Sequence, residues 1–445
     1  MYINSNKKDN ATIEKVLQGD YRVIFVCVEM LESPTFSRIL YSPLVRARLL
    51  GIFLDEAQNV HESAHWRGPY ARLAGLRKAI SKDLDIPLIA ISATLPSLYR
   101  ASLCYYAGLK KNYFLINLGN FRPELSLVVV PMVYDAASFQ DLAFVLPTGC
   151  KLEDVEKTLI YCDDIKTLTE MYWWFSRRLE AMGLSAQLVD LLHAGLSQEH
   201  QSLSLADFRT SKSLIFLATE KIGAGVHVPR VRRVIMFGTK GDPTPAKVDQ
   251  RRGRGARDKG ITAIGYVFYE PELTTEAGRE KARATMDPGM MELICTDRCH
   301  QAVLDKWLEN PPRSPNPLHL CCSNCHPHLR PAREFRFVMH SFAPSAEAIP
   351  VPKKDRAAVF DELCRLRVEK WRDDWRFRWP HFSPQTLLAD EDLEAVSRIA
   401  RSIITLDDLR PHVKIVYWSD IAPWLLDTLH AVVDKVWPED KSATV

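Results

Sequence analysis

Short runs of Ile, Val, Leu and Phe, each bounded by polar or turn-forming residues, recur along the first 240 residues and constrain the fold more than any other feature. They occur at 22–28 (RVIFVCV), 50–54 (LGIFL), 88–91 (LIAI), 158–162 (TLIYC), 213–219 (SLIFLAT) and 232–238 (RRVIMFG), with amphipathic stretches such as 70–80 between them. Apolar strands alternating with helical segments are the pattern of βαβ units, whose parallel sheets are buried on both faces. The pattern pauses near FRPEL (121–125) and the polar stretch 147–155, then restarts, so two successive α/β units are expected. No repeat at a fixed period occurs, which argues against a solenoid.

A length of 445 residues fits two or three domains, and 47% hydrophobic with 25% charged residues excludes a disordered, collagen-like or membrane-embedded chain. The N-terminus has no apolar signal-peptide core and no run of 18 apolar residues occurs, so an intracellular protein without membrane contact is expected. The net charge of +3 says little about partners, but its distribution does. Between Arg230 and Lys259 ten Lys/Arg stand against three Asp, a local field that attracts phosphate backbones. After about residue 285 the texture changes. Cys295, Cys299, Cys321, Cys322 and Cys325 cluster there, 309–317 is proline-rich, 341–354 reads as a linker, and 355–377 and 391–436 read as helical. Without a signal peptide, such a cluster reads as a metal site before a disulfide framework.

Three stretches carry chemistry. LGIFLDEAQ ends an apolar strand in Asp55-Glu56, and the carboxyl ends of parallel strands are where α/β sheets bind ligands. Asp55 suits Mg²⁺ held through water and Glu56 a base for water attacking a γ-phosphate, whereas the structural alternative is an acidic helix cap. ISATLP (91–96) ends the next run with the hydroxyls of Ser92 and Thr94. In QRRGRGARD (250–258), Gln250, Gly253, Arg254 and Arg257 fit Q-x-x-G-R-x-x-R, with the last two arginines expected on one helical face where they fork onto phosphate oxygens. It follows ATEKIGAGVHVP (218–229), a strand end leading into a glycine loop.

In this order, DEAQ, SAT, HAGL (193–196), GAGVHVP and QRRGRGAR resemble the motifs of superfamily 2 helicases, and details resemble the RecQ-like branch. HWRGPYARL (65–73) resembles that branch's aromatic-rich loop, with Trp66, Arg67 and Tyr70 at matching places, and FRPEL resembles the segment closing the first motor domain. The resemblance covers roughly residues 15–330. It implies an α/β fold of two RecA-like parallel-sheet domains, the first incomplete, then a small helical zinc-binding module and an α-helical tail. The expected divisions are 1–130, 131–285, 286–340, the linker 341–354, and 355–445.

The implied activity is ATP-dependent 3′–5′ DNA unwinding in recombination and repair, in the nucleus, with DNA, ATP and other repair proteins as partners. The implied roles are Glu56 as base, Arg254 and Arg257 on phosphate, and Asp55, Gln250, Gly223 and Gly225 around ATP and Mg²⁺. Gln58, Ser92 and Thr94 would couple the sites, and Trp66, Arg67 and Tyr70 would meet nucleic acid, although Trp66 and Tyr70 equally suit a core. RecQ-like modules carry one upstream Cys followed by C-x₂-C-x₂-C. By that likeness Cys299, Cys322, Cys325 and His328 would hold structural Zn²⁺, with Cys295, Cys321 and His326 as substitutes.

The chain departs from the family in three places. No G-x-x-x-x-G-K-[ST] phosphate loop occurs, and the first matching element is GDYRVIFVCVEML (19–31). About a hundred residues of motor would then lie upstream, so a shortened copy or an earlier start is expected, and unaided hydrolysis is not. Gln58 stands where the box usually has His, and His227 where an acidic residue follows the glycine loop. HESAH (61–65) spells the H-E-x-x-H of metallopeptidases, but position 71 is Ala and Pro69 interrupts the next turn, so no third ligand is in place. In the tail, Trp371, Trp375 and Trp379 recur every four residues, the spacing of one packed helix face rather than a base-stacking platform.

Overall fold

The computed structural model of the chain describes residues 2–3, 10–81, 86–219, 228–239, 241, 243–314, 316, 318–332, 351–378, 383–413, 415 and 418–438. Gly223, Gly225 and His227 lie outside the described residues, as does the expected linker 341–354 up to residue 350.

The first lobe holds two parallel strand pairs, β1 (Tyr2–Ile3) with β2 (Phe25–Val26) and β3 (Ile52–Leu54) with β4 (Leu88–Ala90). Among the described residues two of the run 22–28 pair with β1, Phe25 beside Tyr2 and Val26 beside Ile3. The helices Asn59–Ser63, Gly68–Ala71 and Leu73–Ser81 cover one side, closing Val60, Ala64, Tyr70 and Leu73 onto Leu103.

The second lobe is a six-stranded parallel sheet. Its strands are β5 (Leu125–Pro131), β6 (Thr158–Tyr161), β7 (Val189–Leu192), β8 (Ile215–Ala218), β9 (Arg233–Phe237) and β10 (Ala263–Tyr269). They lie in the order β5-β10-β9-β6-β8-β7. Side chains alternate between two cores, as a pleat with a two-residue period requires: Ile160 joins one, Leu159 and Tyr161 the other. The helix Ile165–Ala181 buries Leu168, Met171, Phe175 and Leu179, a 3-4-4 spacing that makes one stripe, and the Asp164 carboxylate caps its start by accepting from the Thr167 amide at 2.7 Å.

The expected division at 130/131 is corrected by β5, which pairs with β10 and so belongs to the second lobe's sheet. Its outer edge is not left open. The Leu127 amide donates to the Cys321 carbonyl at 3.0 Å and the Ser323 amide to the Leu127 carbonyl at 2.9 Å, so the cysteine loop pairs with the edge strand. The helices Pro288–Cys295 and His300–Trp307 likewise bury Met290, Leu293 and Leu304 in a core shared with the sheet, so this segment packs as an extension of the second lobe. The tail, 351–438, has its own core. Trp375 is buried there with its ring edge-on to Trp424 at 4.8 Å, which is packing rather than a platform for bases. Among the described residues no helix is long and apolar enough to cross a membrane.

Asp190, on the sheet's other edge strand, gives a first prediction. Burial pushes its carboxyl up to about 6, against hydrogen bonds from the Leu191 amide and Ser204 that pull it down. A raised acid favours the folded state below its unfolded value and loses that advantage as pH rises through about 6. Asp190→Asn should therefore stabilise the protein at pH 8 by about 2 kcal/mol and change little near pH 4. Denaturant midpoints at the two pH values measure this, and equal shifts at both would contradict it.

Candidate functional site

A cleft of about 1730 Å³ separates the lobes, lined by Glu56, Gln58 and Ser92 on one side and by Gln250, Arg254 and Arg257 on the other. β3 runs directly into Asp55 and Glu56. Glu56 adopts φ 48°, a left-handed conformation that a non-glycine residue holds only when its surroundings fix it. Here the Glu56 amide is turned back onto the Asp55 carboxylate at 2.9 Å. Asp55 itself is exposed.

From Glu56 a hydrogen-bonded path crosses the cleft. Gln58 Nε2 donates to Glu56 Oε2 at 2.8 Å, the Ser92 hydroxyl donates to Gln58 Oε1 at 2.6 Å, and the Thr94 amide donates to Ser92 Oγ at 3.1 Å. Gln250 Nε2 of the second lobe then donates to Thr94 Oγ1 at 2.6 Å. Gln58 and Thr94 are buried, which shields their ends of these bonds from water. Gln58, standing where histidine was expected, uses both ends of its amide in the path, as donor to Glu56 and acceptor from Ser92.

The helix Pro245–Arg252 begins at an N-cap, Thr244, whose hydroxyl accepts from the Lys247 amide, and it ends at Gly253. This corrects the expectation that Arg254 and Arg257 share a helical face: both follow the helix in a turn, and both reach the cleft from there. Arg122 of FRPEL shapes that turn, donating to the carbonyls of Gly253 at 3.1 Å and Gly255 at 3.3 Å and also to that of Ala256. The Arg257 guanidinium is held below its usual value, first by burial and then by the neighbouring charges of Arg254 and Arg122, while the Glu56 carboxylate opposes them. Guanidinium stays charged through such a shift, so two cations and one carboxylate face the same space.

The two remaining arginines of the run serve the fold. Arg251 forms a two-pronged ion pair with Asp163 at 2.8 and 2.9 Å and lies over the Tyr161 ring, and Arg252 is buried against Asp249. The positive stretch 230–259 is thus partly neutralised internally. Asp163, Asp249 and Arg122 are site-shaping residues that were not legible locally: Asp163 lies 88 residues from Arg251, Arg122 bonds backbone carbonyls, and only burial marks Asp249 as the partner of Arg252 three residues on.

Of the three aromatic-loop residues, Trp66 is 67% exposed and lines the cleft, and Arg67 lines it too while paired with Glu29. Tyr70 departs from expectation. Only 9% exposed, it belongs to the first lobe's core, and Arg67 covers its ring at 5.3 Å, so its face is not offered to a base. The HESAH stretch is structural: its helix stops at Ser63, and His61 stacks on Tyr99 at 4.2 Å and bonds Ser102 at 2.8 Å.

The cysteine group gathers the sulfurs of Cys299, Cys321, Cys322 and Cys325 within 4.8 Å of one another. His328, read as the fourth ligand, is not among them. Its ring lies edge-on to His326 at 5.9 Å, and Cys321 takes the fourth place because backbone pairing with Leu127 fixes the loop there. Four converging sulfurs make a donor set suited to a tetrahedral, thiolate-binding cation. Cys295, exposed, lies outside the group.

Residues 139–259 match the helicase conserved C-terminal domain. The chain is 28% identical over 327 residues to the ATP-dependent helicase wrn-1 of Caenorhabditis elegans, covering 68% of this chain and 29% of that protein. It is 24% identical over 246 residues to the ATP-dependent DNA helicase Q5 of Rattus norvegicus, covering 53% of this chain and 24% of that one. Against the ATP-dependent RNA helicase FAL1 of Kluyveromyces lactis the identity is 25% over 181 residues, covering 38% and 42%. The chain spans less than half the length of each of these relatives. The helicase C-terminal domain and these low-identity similarities support a superfamily 2 helicase.

Proposed function

We propose that the chain serves ATP-dependent 3′–5′ unwinding of DNA of the RecQ type, acting in the nucleus. Glu56 is the base, Asp55 holds Mg²⁺, Gln250 with the loop glycines Gly223 and Gly225 contacts ATP, and Arg254 and Arg257 neutralise charge developing on the γ-phosphate. Gln58, Ser92 and Thr94 couple the two lobes, Trp66 and Arg67 meet single-stranded nucleic acid, and Cys299, Cys321, Cys322 and Cys325 hold a structural Zn²⁺. The observation that carries this reading is the hydrogen-bonded path from Glu56 to Gln250, with both arginines on the same cleft wall. A base on one lobe and cations on the other are useful together only if the lobes close on one phosphate.

One sequence observation favours a second reading, a DNA-binding or regulatory relative without turnover: the 445 residues contain no G-x-x-x-x-G-K-[ST] motif. The experiment is DNA-stimulated ATP hydrolysis by the chain, with duplex RNA for comparison and Glu56→Gln as control. Under the first reading, Glu56→Gln lowers turnover about 100-fold or more while leaving DNA binding in place. DNA binding without any turnover would leave only the second.

A further inference from the structure

The path through Thr94 requires the first lobe's loop to stay against the helix Pro245–Arg252, and a turn at the end of the helix His300–Trp307 holds it there. The Glu309 carboxylate accepts from the Ser97 amide at 2.8 Å through one oxygen and from Arg100 Nη2 at 2.8 Å through the other. Its carbonyl accepts from Asn117 Nδ2 at 2.7 Å. Next along the chain, Asn310 Oδ1 accepts from the Asn120 amide at 3.2 Å. Gly119 permits this approach, since a Cβ there would stand 3.1 Å from Pro311. Arg100, so held, donates to the Leu95 carbonyl at 2.8 Å, one residue beyond Thr94.

The turn is itself tied to the arginine helix. Arg252 donates to Gln301 Oε1 at 2.8 Å, Gln301 donates to Asp305 Oδ1 at 3.0 Å, and Asn310 Nδ2 donates to the same oxygen at 2.9 Å. Glu309 has φ 55°, a conformation that side-chain-bearing residues seldom adopt, so a non-glycine here is retained at a conformational cost. Its carboxyl is pushed up by burial, but the bonds from Ser97 and Arg100 outweigh that and hold it below the usual range.

We propose that the Glu309–Asn310 turn is an interlobe clamp, with Glu309 the positioning residue that seats the Ser92–Thr94 segment against Gln250. Naming the seated segment as part of an ATP site rests on the function proposed above; the clamp itself does not.

Hydrogen exchange on the nucleotide-free chain tests it, so an outcome is readable whether or not the protein turns over ATP. Glu309→Gly removes the carboxylate while suiting the positive φ, which keeps the fold intact. In this variant, peptides covering 94–100 and 114–120 should exchange about tenfold faster or more, with β5 and β6 peptides unchanged. Glu309→Gln, which keeps one acceptor, should show a smaller increase. Lys306→Ala, on the helix that leads into the turn, removes an exposed ion pair with Glu292 of the helix Pro288–Cys295 and should change neither peptide. Unaltered exchange at 94–100 and 114–120 in Glu309→Gly, or an equal rise across β5 and β6, would overturn the clamp.

Discussion

Arg252→Ala is expected to destabilise the second lobe by about 3–5 kcal/mol. The side chain is 1% exposed and fills space that Gly265 of β10 leaves open: a Cβ on that glycine would fall 2.6 Å from Arg252 Cγ. Its guanidinium pairs with Asp249 one helical turn earlier and donates to Gln301, joining the sheet, the arginine helix and the cysteine-bearing segment. Burial pushes the Asp249 carboxyl up and Arg252 draws it back. Without the arginine, a buried carboxylate is left uncompensated beside a cavity, and each effect adds to the loss. Arg252→Met keeps most of the volume, so the difference between Met and Ala measures packing. Combining Arg252→Met with Asp249→Leu should recover much of the loss, since removing both charges is far less costly than removing one. Urea midpoints for the four proteins check this; an Arg252→Ala shift below about 1 kcal/mol would mean the pair contributes nothing.

The run Gln250-Arg251-Arg252-Gly253-Arg254 shows how far the sequence could be read. Its composition and its place after a strand marked it as a phosphate-facing motif, and Gln250, Arg254 and Arg257 do line the cleft. Which arginines turn inward was not legible, because Asp163 is 88 residues away and nothing local marks it as the partner of Arg251. β5 was hidden for the same reason: LSLVVVP follows FRPEL without a break, and sheet membership depends on β10, more than 130 residues later. Of the other five strands, β6, β8 and β9 coincide with runs read as strands, whereas β7 and β10 were not picked out. In the first lobe short ladders cut the expected strands to two or three residues. Tyr70 was ambiguous between base and core because its helix, Gly68–Ala71, is too short to show periodicity, and only burial decides it.

The cysteine cluster is where local spacing and tertiary pairing gave different answers, and it supplies the other large effect. Spacing offered C-x₂-C-x₂-H from Cys322, whereas strand pairing to Leu127 brings Cys321 inward beside its neighbour. If the proposed Zn²⁺ is held by these four sulfurs, Cys322→Ser should lower bound zinc from about one equivalent to a small fraction, because a hydroxyl is a poor ligand among thiolates. His328→Ala and Cys295→Ser should keep it. The effect should extend to stability, since Cys321 and Ser323 close the open edge of β5 and Cys322, between them, is wholly buried. Structural zinc contributes on the order of 10 kcal/mol in small modules, comparable to the whole stability of an ordinary domain. Chelation of the parent protein should therefore speed proteolysis between 296 and 332, and Cys322→Ser should show the same cleavage without chelator. Metal content by atomic emission separates the two ligand sets. Zinc retained in Cys322→Ser would reject the four-sulfur site, and zinc lost in His328→Ala would restore the histidine.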